Sequence, residues 1–187
     1  SYDYFGASVA ISGDTAVIGA FGDDHPGGAD AGSAYVFVRS GSVWTQQAKL
    51  TVASGQYGDY LGCSVAVDGD TAVIGASGRD VSSATEAGSA YVFVRSEGIW
   101  TQQATLIASD AASYEHFGHS VAVDGDTIMV GAPHEEQILP TSTGSVYVFV
   151  RTGGTWTQQN KLTASDAAPW AFFGFSVALQ GESAVIG

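Results

Sequence analysis

Nineteen acidic side chains stand against six basic ones in this chain of 187 residues, a net charge of −13. The chemistry this offers is that of carboxylates. Asp24, Asp80 and Glu136 follow one another at intervals of 56 residues, and Asp23 and Glu135 flank two of them. Carboxylates so placed can bind calcium together with backbone carbonyls, since the ion takes about six to eight oxygens. They also attract basic protein segments and hydroxyl-rich glycans. Tyr2, Tyr57, Tyr60, Tyr114, Trp170 and Phe172 occur close to acids. Exposed aromatics beside acids are typical of sugar or protein contacts. The plainer reading is solvated charge that keeps the protein soluble, with rings packed on a neighbouring unit.

Catalytic patterns are missing. His25, His116, His119 and His134 share no repeat position and no metal-ligand spacing. No serine lies in a Gly-x-Ser-x-Gly elbow, and no phosphate loop is present. Cys63 is the single cysteine, so it forms no internal disulfide and reads as an inert buried thiol. The expectation is a protein that is not an enzyme. The acidic balance argues against nucleic acid and anionic membrane as partners. No apolar run approaches the roughly 18 residues that a membrane-spanning helix needs, so membrane insertion is not expected.

The elements that must position these residues come from a repeat. Phe5-Gly6 returns as Leu61-Gly62, Phe117-Gly118 and Phe173-Gly174, a period of 56 without gaps. The units are 1–56, 57–112 and 113–168, with a partial unit at 169–187, in a single segment spanning 1–187. Each full unit reads as four strands: Ser8–Ile11, Thr15–Ile18, Ser33–Val38 and Trp44–Leu50 in the first. β-Branched and aromatic residues dominate them and no helical spacing occurs. Asp68-Gly69 and Asp124-Gly125 signal a tight turn between the first two strands. The third strand is apolar on both faces, so both must be covered. Four-stranded sheets sandwiched between similar sheets and stacked radially make a β-propeller. The expected fold is therefore all-β, a propeller of four-stranded antiparallel blades, about three and a half in this chain; a solenoid is the alternative. Trp44, Trp100 and Trp156 fill the outer strand, a structural role. Arg39, Arg95 and Arg151 sit near the hairpins of Asp14, Asp70 and Asp126 and are expected to pair with them.

Phe-Gly, then Ser-Val-Ala, then Val-Ile-Gly-Ala, then Gly-Ser-Ala-Tyr-Val-Phe resembles the FG-GAP repeat, and Gly131-Ala132-Pro133 reproduces the second half of that name. The resemblance covers the whole chain. It implies a propeller like the head of integrin α subunits, on an extracellular or cell-surface protein, commonly adhesive or ligand-binding. It departs from the calcium-binding form of the repeat, in which an Asp-x-Asp-x-Asp-Gly loop joins the first two strands. Here that loop is Ser12-Gly13-Asp14, too short for such a site.

In such blades the long connections share one end: 21–31, 77–87 and 133–143, then 53–60, 109–116 and 165–172. Twelve of the 19 acids fall at this end by this reading, eleven in these ranges and Asp3 ahead of the first strand, with Arg79 as the single base. The expected ligand-binding face comprises Asp23, Asp24, Asp30, Asp80, Glu86, Glu135, Glu136, Tyr60, Tyr114 and Trp170. Asp24, Asp80 and Glu136 are its candidates for Ca2+. The expected function is a non-enzymatic extracellular module for adhesion or for binding a protein or glycan. One alternative is a structural subunit of an extracellular filament or coat, assembled from further copies of itself. Another is an accessory domain of a larger secreted enzyme. Three and a half blades do not close a ring, so copies or the rest of a longer chain are expected to complete it.

Overall fold

A computed structural model of the chain describes residues 2–24, 28–134, 143–166 and 168–187. The strands are β1 (Ser8–Ser12), β2 (Thr15–Ala20), β3 (Ser33–Ser40), β4 (Val43–Leu50), β5 (Leu61–Asp68), β6 (Thr71–Ala76) and β7 (Ser89–Ser96). They continue as β8 (Ile99–Leu106), β9 (Ser120–Asp124), β10 (Thr127–Ala132), β11 (Ser145–Thr152), β12 (Thr155–Leu162), β13 (Val177–Gln180) and β14 (Ser183–Ile186). They form three four-stranded antiparallel sheets, β1-β2-β3-β4, β5-β6-β7-β8 and β9-β10-β11-β12, followed by the pair β13-β14. Each sheet is one repeat unit, as the apolar third strand requires.

The first turn departs from expectation. Ser12 pairs with Thr15, and Asp68 with Thr71, so the turn residues are Gly13-Asp14 and Gly69-Asp70 rather than Asp-Gly. Gly13 and Gly69 open them at φ 56° and 53°. A glycine of positive φ at the first turn position is the type II′ hairpin pattern, which matches the strand twist.

The sheets are blades around an axis. β1, β5, β9 and β13 pack on one another, whereas β4, β8 and β12 scarcely meet. The narrow end allows no side chain at certain places. A Cβ on Gly19, Gly75 or Gly131 would stand 2.0 Å from the carbonyl oxygen of Gly62, Gly118 or Gly174 in the next blade. Those carbonyls accept hydrogen bonds from Ser8, Ser64 and Ser120 at 2.8, 2.7 and 2.7 Å.

The core lies between blades. Val17, Val36 and Leu50 of the first meet Ile74, Tyr91, Phe93 and Trp100 of the second. Val73, Val92 and Leu106 meet Phe117, Val130, Tyr147 and Trp156 of the third. β6 is buried along its whole length as a result. The first blade covers only one of its faces: Val9 and Ile11 are 69% and 66% exposed. Trp44, expected to be buried like its repeats, is 39% exposed, against 9% for Trp100 and 8% for Trp156. The physical reason is that Trp100 and Trp156 are each covered by the blade before them, which meets their indole through Gln47 or Gln103, whereas β1–β4 is the first blade described.

At the short-turn end Arg39, Arg95 and Arg151 donate through Nε to Asp14, Asp70 and Asp126 at 2.8, 2.6 and 2.6 Å. Their guanidinium groups lie 5.6, 5.1 and 5.0 Å from the ring centroids of Trp44, Trp100 and Trp156. Arg95 and Arg151 also reach back to Thr15 and Thr71 of the preceding blade, at 3.0 and 3.3 Å. The third and fourth strands are out of step by one residue, so that Gln47 and Gln103 bulge from β4 and β8. Each accepts a hydrogen bond from the indole Nε1 of the next blade, Trp100 or Trp156, at 2.8 Å. These glutamines tie blades together.

Candidate functional site

The long connections gather at the opposite end, where the loop joining the second and third strands is braced by its own acid. Asp24 Oδ1 accepts the backbone N–H of Asp30 at 3.0 Å, and Asp80 Oδ1 that of Glu86 at 2.8 Å. Asp30 and Glu86 then take φ of 50° and 49°. Their carbonyls accept the N–H of Tyr60 and His116 in the next blade, both at 3.2 Å. Tyr60 and His116 are left-handed too, at φ 56° and 54°, as are Tyr4 and Phe172 at 52° and 53°. A side chain in that region costs roughly 1–2 kcal/mol. The first two blade junctions therefore each set an acid of one loop beside a ring at the start of the next blade.

Asp23 does not belong to this exposed set. It is 7% exposed and accepts from the hydroxyls of Ser33 and Tyr35, with Lys49 Nζ at 2.6 Å. Burial alone would raise its carboxyl pKa, but the hydrogen bonds from Lys49, Ser33 and Tyr35 outweigh burial and lower it. The expected ligand-facing acid is a structural one. Arg79 is also committed, held to Asp59 at 2.7 Å, and Asp59 is 2% exposed. Lys161 pairs with Asp110 at 2.7 Å. Lys49 and Lys161 are thus further bases at this end. Sequence reading missed them because they sit on the fourth strand rather than in a loop. A signal was present: where Arg79 replaces Asp23 by repeat position, Thr105 replaces Lys49.

Asp80, Glu86 and Tyr60 line a shallow hollow of about 200 Å³ with Tyr57 and Thr85. Asp30 and Tyr60 line a larger one of about 560 Å³ with Tyr2, Tyr4 and Phe21. Burial, then the charge of Asp30, pushes the Tyr60 phenol pKa up. Tyr114 and Trp170 are 37% and 54% exposed at later junctions, away from that hollow. Glu135 and Glu136 lie outside the described residues. Among the described residues no three His, Cys, Asp or Glu side chains converge as a cation would require. Asp24 and Asp80 stand in separate blades, each holding a loop amide. The described residues do not fit the proposed calcium set.

The fold brings together three histidines that the sequence left scattered. The His134 ring lies 5.1 Å from His116 and 6.2 Å from His119, centroid to centroid. His116 Nε2 is 3.7 Å from Glu86, and its Nδ1 is 3.1 Å from the carbonyl of Ser77. His134 Nδ1 is buried without a hydrogen-bond partner among the described residues. The overlooked signal is a paired exchange. His134 takes the place of Gly22 and Gly78, and His116 that of Tyr4 and Tyr60. A Cβ at Gly22 or Gly78 would stand 2.4 or 2.0 Å from the carbonyl oxygen of Tyr2 or Gly58, and 2.8 or 2.7 Å from the Tyr4 or Tyr60 ring, so a side chain at this place needs the facing backbone to shift as well as the ring to change. Cys63 is half-buried and donates to the Gly118 carbonyl at 3.5 Å.

A protein-family model described as FG-GAP repeat matches residues 1–37, 44–93, 100–149 and 156–187. A search of the curated proteins finds no match.

Proposed function

The chain belongs to the FG-GAP repeat family, and from that premise we propose a non-enzymatic, extracellular propeller module that binds a protein or glycan ligand through its long-loop end. One observation carries the reading. The short-turn end repeats the same arginine–aspartate–tryptophan unit from blade to blade, whereas the long-loop end changes from blade to blade and holds exposed aromatics beside acids. Function gathers on variable loops held by a rigid scaffold. The braces from Asp24 and Asp80 keep these loops in place, which lowers the ordering cost of binding.

The test is surface plasmon resonance of the immobilised protein against a panel of matrix glycans and basic peptides. Tyr57→Ala, Tyr114→Ala and Trp170→Ala should weaken whatever binds, by about tenfold or more where the ring is a central anchor. Val43→Ala and Ile99→Ala, at the short-turn end, should leave binding unchanged. Equal loss from both sets, or no binding to the panel, would refute the reading.

A second reading, a subunit that assembles with copies of itself, is favoured by the open face of the first blade. Val9, Ile11 and Phe5 are 69%, 66% and 55% exposed there. Sedimentation at rising concentration decides it: association abolished by Val9→Lys supports assembly, and a monomer throughout excludes it.

A further inference from the structure

We propose that the hollow between the first two blades, lined by Tyr2, Tyr4, Phe21, Asp30 and Tyr60, binds a quaternary ammonium group. The proposal rests on the long-loop end being a ligand-binding face, and it gives that face a ligand class.

The rings form a continuous wall. Tyr2 lies 6.4 Å from Tyr4, Tyr4 stacks on Phe21 at 4.7 Å and 7°, and Phe21 meets Tyr60 edge-on at 6.0 Å. Aromatic faces carry negative potential and attract a cation placed over them. Asp30 adds one carboxylate. Its backbone N–H is spent on Asp24, and its side chain enters no hydrogen bond or ion pair among the described residues. The hollow of about 560 Å³ admits the head group together with the chain that carries it.

The repeat provides an internal control. At the next junction the same backbone frame recurs, with Glu86 at φ 49° and His116 at 54°. There Gly58 replaces Tyr2, Ser77 replaces Phe21 and His116 replaces Tyr60. Glu86 lies 3.7 Å from the His116 ring nitrogen. Tyr60 keeps the place of Tyr4, so the fold tolerates a junction in which the other three ring positions change, and those rings of the first junction are not required by packing.

The chemistry selects the cation. The hollow offers one carboxylate and the three phenol hydroxyls of Tyr2, Tyr4 and Tyr60 on otherwise apolar ring faces, a poorer match for the several hydrogen bonds that a primary ammonium or a sugar makes with water, and unreplaced hydrogen bonds are costly. A quaternary ammonium has no N–H to satisfy and is weakly hydrated. The chain's charge of −13 adds long-range attraction that a neutral sugar does not feel.

The experiment is a calorimetric and NMR titration at low salt with choline, its neutral isostere 3,3-dimethylbutanol, n-butylammonium and methyl β-glucoside. Saturable choline binding at least about tenfold tighter than the isostere is expected. Phe21→Ser and Asp30→Asn should each weaken it by about tenfold while leaving the melting temperature near that of the parent. Serine already stands at position 77, and asparagine accepts the positive φ of Asp30. Binding of the isostere, butylammonium or glucoside as tight as choline overturns the proposal, as does absence of choline binding. Retained binding to matrix glycans or basic peptides in those cases leaves the wider reading of the long-loop end standing. Loss of both removes it as well.

Discussion

His119 and His134 show how one unit's deviations carry a measurable property. Burial, then the nearby His116, lowers the pKa of both rings. A base with a lowered folded pKa takes up its proton more readily when unfolded. Stability is therefore full above the ordinary histidine pKa and declines as pH falls from there to the depressed folded value. The melting temperature should drop between pH 7.5 and 5.5, read by circular dichroism. His119→Ala and His134→Gly, the residues of Ala7 and Gly22 in the first unit, should flatten that slope. An unchanged slope would show that these rings do not govern it. At this scale the arginine–aspartate pairs were legible, because Asp14 and Arg39 recur in step in every full unit. The Asp23–Lys49 pair was not. It occurs as aspartate with lysine in one unit only, and its signal is the joint exchange to Arg79 and Thr105 in the next.

The strands were legible almost to the residue, because each is short, β-rich and bounded by glycine turns. The one-residue bulges were not, since nothing local distinguishes Gln46, which pairs with Phe37, from Gln47, which does not. The bulge re-aims a side chain, a common use of such irregularities. Gln47→Ala removes the acceptor of a largely buried indole N–H and should cost about 1–2 kcal/mol in urea denaturation. Trp100→Ala should cost about 3–5 kcal/mol, as for other buried large rings. Trp44→Ala should cost clearly less than Trp100→Ala, because 39% of Trp44 already meets water. Equal costs for the two tryptophans would contradict the blade packing described above.

For the whole molecule, protection follows from which sheets are covered twice. β6 and β7 lie between neighbours, whereas β1 borders an open face and β14 is largely exposed. Native-state hydrogen exchange should be slowest at Val73, Ile74 and Val92 and fastest in β13 and β14. Uniform protection across the blades would contradict this order. The propeller itself was legible from the doubly apolar third strand. The aromatic hollow was not, since Phe21, Asp30 and Tyr60 belong to two units and meet only through the junction.

The tie between Gln47 and Trp100 has its acceptor in one unit and its donor in the following one, and the same holds for Gln103 and Trp156. Excision of residues 57–112 would juxtapose Gln47 with Trp156 and Thr15 with Arg151, restoring these two ties at the scar. Loss or gain of one whole unit therefore leaves the glutamine–tryptophan and threonine–arginine seams intact, because each unit carries one half of the seam on either side.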